Sequence, residues 1–167
     1  MRRLIVPLTL AALSLAASAP ALPSTLASAR VRGGEGVHLS AGRGYAVLGE
    51  QGVAFGNLRR GWIRVTNIPG GGSPSGYVRG CESRSGRVSG RLFCAGTRLR
   101  FWVEDGPWRI RIKGRGINVS AVMRGSVGLD RRGCSRRMFR SGKCTFQIGD
   151  GRARRWPATL RFFAVRA

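Results

Sequence analysis

Acid–base and nucleophilic chemistry needs side chains that titrate or coordinate, and this sequence holds few. Among 167 residues there is one histidine, His38, and seven carboxylates. A Ser-His-Asp device would have to use His38, yet no Gly-x-Ser-x-Gly elbow presents a serine to it. His38 sits in Val37-His38-Leu39-Ser40, the alternating setting of a strand residue. A carboxylate pair for glycosidic cleavage would come from Glu35, Glu50, Glu82, Glu104, Asp105, Asp130 and Asp150. Glu50, Asp105 and Asp150 adjoin glycines, where short polar residues serve turn geometry. Glu104 and Asp105 are adjacent and point to opposite faces of a strand. A single histidine builds no histidine-rich metal site, and no Asp/Asn-rich loop supplies calcium ligands. The reading is a non-enzyme with no cofactor and no metal.

What the composition favours instead is contact with anions. The chain carries 30 Lys and Arg against 7 Asp and Glu, a formal charge of +23. Only Lys113 and Lys143 are lysines, and arginine offers a planar, forked donor set suited to phosphate and carboxylate. One stretch organises that charge. In residues 98–113, Leu99, Phe101 and Val103 alternate with Arg98, Arg100 and Trp102. Trp108, Ile110 and Ile112 alternate with Arg109, Arg111 and Lys113. Glu104-Asp105-Gly106-Pro107 lies between, with the composition of a turn. Paired as an antiparallel hairpin, the two runs place Arg98, Arg100, Arg109, Arg111 and Lys113 in one basic stripe. Trp102 stands among them as a stacking anchor. A solvated outer face that keeps a sheet soluble accounts for the same pattern without a ligand.

The four cysteines, Cys81, Cys94, Cys134 and Cys144, are separated by 12, 39 and 9 residues. These are not the close pairs of a zinc site. An even count in an exported chain predicts two disulfides, and the short intervals favour Cys81–Cys94 and Cys134–Cys144. Export is read from residues 1–29. Behind Met1-Arg2-Arg3 comes an apolar Ala/Leu/Ser run without glycine, ending in Ala27-Ser28-Ala29, a small-x-small cleavage pattern. Pro7, Pro20 and Pro23 make it a poor spanning helix, and no later stretch approaches the ~20 apolar residues a spanning helix needs. Removing it takes away only Arg2 and Arg3, so the charge stays with residues 30–167, a single-domain length.

The elements that must position these residues are strands. All 26 glycines follow residue 29, too many to let a helix run. Alternation marks strands at residues 45–48, 53–55, 62–68, 117–122, 127–130, 144–148 and 159–165. The separators are Glu50-Gln51-Gly52, Arg59-Arg60-Gly61 and Gly149-Asp150-Gly151. The prediction is an all-β, single-domain antiparallel sandwich or barrel of about eight to ten short strands held by two disulfides. Residues 69–76 form one mobile Gly/Ser/Pro loop within it. A weak repeat relates residues 42–61 to 114–133, sharing Gly-Arg-Gly starts and Arg-Arg-Gly ends.

The run Gly114-Arg115-Gly116-Ile117-Asn118-Val119-Ser120-Ala121-Val122-Met123-Arg124-Gly125 resembles part of an uncharacterised set of secreted, glycine- and arginine-rich β proteins of high-GC bacteria. Gly42-Arg43-Gly44-Tyr45-Ala46-Val47-Leu48 fits the same set. The likeness runs from about residue 42 to 133. It implies an exported β domain and transfers no activity and no site. The sequence therefore reads as a secreted or cell-envelope protein that binds anionic envelope polymers or a lipid surface, with nucleic acid an incidental partner. The alternatives are an inhibitor or toxin acting through a disulfide-braced loop, residues 80–95 or 134–144, and an enzyme built on His38.

Overall fold

The computed structural model describes residues 34–69, 72–81, 86–87, 91–130 and 135–166. The predicted export signal and Cys134 lie outside the described residues. The elements are β1 (Glu35–Asn67), β2 (Ser75–Cys81), β3 (Gly86–Arg87), β4 (Arg91–Glu104), β5 (Pro107–Asp130), α1 (Arg136–Arg140), β6 (Cys144–Ile148), β7 (Arg154–Arg155) and β8 (Arg161–Val165). All eight strands belong to one antiparallel sheet in the order β3-β2-β4-β1-β5-β8, with β6 also on β1 and β7 on β6. The all-β, antiparallel expectation holds. Barrel closure does not: among the described residues no ladder joins the two ends, β3 and β8.

Most of the strands are short, as expected, but the central ones are not. β1 runs for 33 residues and β5 for 24. The predicted separators Glu50-Gln51-Gly52 and Arg59-Arg60-Gly61 lie inside β1 as bends, not turns. The reason is visible in the register. Leu58 pairs with Leu99 and Ile117, and Ala41 with Ile117. The next pairs are Arg60 with Thr97 and Arg115, and Arg43 with Arg115. One transverse row, Gly42, Arg59, Arg98 and Gly116, is skipped in every ladder. Arg98 and Gly116 there have φ of 53° and 61°.

An extra residue in each strand reverses the inside-out alternation. In β1 the buried positions are Val37, Leu39 and Ala41, then Ala46 and Leu48. They are Ala54 and Leu58, then Ile63 and Val65. In β5 they change from Trp108, Ile110 and Ile112 to Ile117, Val119, Ala121 and Met123. The apolar side thus stays on the same face while the sheet folds along this crease. A second crossing lies at Gly52 (φ 139°) and Gly125 (φ 124°), where a Cβ on Gly52 would overlap the Val122 carbonyl oxygen.

Folding along these lines gives the sheet two arms facing each other across one core. The first arm holds residues 35–41, 52–58, 99–104 and 117–123 with β2, β3, β6 and β7. The second holds 43–51, 60–67, 91–97, 107–115 and 124–130 with β8. The arms meet directly. Phe146 on β6 and Phe163 on β8 share no ladder, yet their ring centroids are 4.6 Å apart. Trp108 on the second arm donates its buried indole N–H to the Gly52 carbonyl at 2.9 Å.

Cys81–Cys94 is formed and ties β2 to β4, as the spacing predicts. It is the complete disulfide among the described residues. Cys144 is also disulfide-bonded and buried, but the predicted Cys134–Cys144 pair involves a residue outside the described set. The two stretches of the weak repeat are ladder partners as far as residue 130, with Gly114 opposite both Gly44 and Gly61. Among the described residues no helix is long and apolar enough to cross a membrane.

Candidate anion-binding groove

On the outer face of the second arm, beside the crease, three strand segments lie in register. Residues 107–115 of β5 run between residues 43–51 and 60–67 of β1. Their outward side chains form three rows. Nearest the crease stand Arg43, Arg115 and Arg60. Next come Tyr45, Lys113 and Trp62. Then come Val47, Arg111 and Arg64, extended by Phe93 of β4 opposite Arg64. Spacing is about 5 Å along a row and about 7 Å from row to row. The alternation that buries Ala46, Ile63, Ile110 and Ile112 is what turns these residues outward.

The rows enclose an open groove of about 920 Å³ floored by Gly44 and Gly114. Six cations line it: Arg43, Arg60, Arg64, Arg111, Lys113 and Arg115. One carboxylate, Asp130, stands at its edge opposite Tyr45. Aromatic rings run through it, with Tyr45 and Trp62 centroids 6.2 Å apart and Trp62 and Phe93 5.9 Å apart. The Arg64 guanidinium sits 5.3 Å over the Phe93 ring, which orients it. Like charges face each other here, with Arg64 opposite Arg111 and Arg115 opposite both Arg43 and Arg60. Such pairs weaken a sheet.

The predicted stripe is divided by this arrangement. β4 and β5 are not ladder neighbours, because residues 52–67 of β1 lie between them. The segment Glu104-Asp105-Gly106-Pro107 does turn, with positive φ at Asp105 and Gly106, but it crosses from the first arm to the second. Arg111 and Lys113 reach the groove, and Arg109 lines a neighbouring cavity. Arg98 falls on the crease. Arg100 and Trp102 lie on the outer face of the first arm, opposite Asn57 and Phe55. There Trp102 meets the Tyr77 ring at 6.0 Å.

Arg43, Tyr45, Arg60, Trp62, Arg64, Phe93 and Arg115 complete the groove and were not singled out in the sequence. The alternation Arg60-Gly61-Trp62-Ile63-Arg64-Val65 was the signal available. His38 is on the first arm's outer face, its Nδ1 2.9 Å from Ser120 Oγ. The residue across the ladder on its other side is Gln147, not an acid. Among the described residues no group of three or more His, Cys, Asp or Glu is placed to hold a metal ion. Glu104 does not line the groove; burial, and next the Asp105 carboxylate, raise it above its ordinary value. Comparison with family models, with curated proteins and with solved structures finds no match.

Proposed function

We propose that this is an exported, non-enzymatic binding protein of the bacterial envelope whose second-arm groove takes anionic groups of envelope polymers. The observation that carries this reading is the convergence of six cations on one groove lined by three aromatic rings and a single carboxylate. Cross-strand like charges work against the fold, and an anion bound between them removes that penalty. Arginine forks grip phosphate or carboxylate, and Tyr45, Trp62 and Phe93 supply faces for sugars or other planar groups. The Cys81–Cys94 disulfide fits an oxidising compartment, in keeping with the leader-like residues 1–29.

Co-sedimentation of the oxidised protein with purified envelopes tests the reading. Retention is expected at low salt and release at high salt, because exposed charges are screened within ~8 Å at physiological ionic strength. Charge reversal at Arg64 and Arg111 should abolish retention, while reversal at Arg136 on α1 should change it little. Retention that ignores salt, or that responds equally to both variants, would refute the assignment.

A further inference from the structure

A second cavity of about 400 Å³ opens on the same outer face and shares Tyr45 and Arg111 with the groove. Its character is different. Val47, Ile68, Leu160 and Phe162 line it, with Glu50 its single acid. Leu160 is 45 % exposed and Phe162 60 % exposed. Val47 pairs with Gly128, and Gly128 with Phe162. A Cβ on Gly128 would meet the Phe162 ring at 2.6 Å, so the bare glycine lets that ring lie against the sheet. The outer face thus passes, within one row, from the Arg64–Arg111 pair through Val47 to an uncovered aromatic. Exposed apolar surface joined to a charged cleft is the make-up of a ligand site, apolar lining with a few polar groups to fix orientation.

We propose that the groove and this cavity form one site for a monomeric, single-chain amphiphile with an anionic head. The inference rests on the anion-binding reading and specifies its ligand. A phosphate or carboxylate head lies between Arg64, Arg111 and Lys113. The hydrocarbon chain passes Tyr45 and covers Val47, Ile68, Leu160 and Phe162. Charge complementarity fixes which end enters the groove. Arg111 is shared with the groove, and of the remaining charges Glu50 balances Arg109, so the second cavity adds no net charge of its own to draw in another anion.

Calorimetric titration with hexyl, octyl and decyl phosphate, each below its micelle concentration, tests this, with tripolyphosphate as the chainless control. Each added methylene that is buried should tighten binding roughly three- to fourfold. Leu160→Ser with Phe162→Ser should flatten that dependence and leave tripolyphosphate binding unchanged. Tripolyphosphate binding with no gain from chain length would overturn the amphiphile site and leave the anion-binding reading standing. Binding to anionic vesicles but not to monomeric alkyl phosphates would also overturn it, in favour of a membrane surface. Binding of neither alkyl phosphate nor tripolyphosphate would remove both.

Discussion

Arg64 and Arg111 stand directly opposite each other across the β1–β5 ladder, both half-buried. Two cations in that position gain nothing from each other, and facing like charges cost a sheet roughly 0.2–1 kcal/mol. Arg111→Gln should therefore raise folding stability by about that amount while weakening tripolyphosphate binding at least severalfold. Thermal melts with and without tripolyphosphate read both effects on one sample. A variant that is less stable and binds equally well would show the pair to be structural.

Ligand linkage gives a second expectation. An anion that binds only the folded groove stabilises by about 2.7 kcal/mol at a hundredfold excess over Kd. Tripolyphosphate should then raise the Tm, and the rise should shrink in high sodium chloride. In the Arg64→Glu/Arg111→Glu variant it should be nearly absent. An equal rise in wild type and variant would point to a general effect of the salt on the protein surface.

The bend at Gly52 makes a sharp prediction about the fold. Its φ of 139° and the overlap of any Cβ with the Val122 carbonyl oxygen leave no room for a side chain. Gly52→Ala should cost at least about 2 kcal/mol. Gly36→Ala, in the same strand with nothing within 4 Å of a Cβ, should stay within about 0.5 kcal/mol of wild type. Denaturant midpoints compare the two. Equal effects would mean that the crossing at Gly52 does not depend on the bare glycine.

Glu104 links stability to pH. Its carboxyl titrates above its ordinary value, first through burial and then through Asp105. Between the ordinary and the raised value the folded chain holds more protons than the unfolded one. Stability from this group is therefore present at low pH and is lost as pH rises through that window. Glu104→Gln should gain on wild type as pH goes from below the ordinary carboxylate range to neutrality. A difference between the two proteins that does not vary with pH would count against the shift.

Replacing Cys81 and Cys94 separates their disulfide from the groove. Cys81–Cys94 spans 13 residues and fastens β2 to β4, worth about 3 kcal/mol in the chain-entropy model. The groove is built chiefly on β1 and β5. The Cys81→Ser/Cys94→Ser variant should melt at lower temperature yet bind tripolyphosphate within about twofold below its transition. Loss of binding while far-UV dichroism stays native would make the β4 contribution, Phe93 above all, essential to the site.

Alternation and glycine content alone determined that this chain is an antiparallel β domain, since inward and outward residues show in the period of two. The close spacing of Cys81 and Cys94 likewise pointed to their pairing, and composition alone carried the excess of cations. What the tertiary structure decided was whether each glycine-rich signal is a turn or a bend. Arg59-Arg60-Gly61 has turn composition, but Leu58 and Ile63 on either side are buried on ladders to β4 and β5. Burying both requires the strand to continue through a crease. The same non-local register decided which charges meet. Arg60 and Arg43 face Arg115 because core packing aligns strands that are distant in sequence. The local pattern around Arg100 and Arg109 suggested one stripe, and an intervening strand of β1 places them on opposite arms.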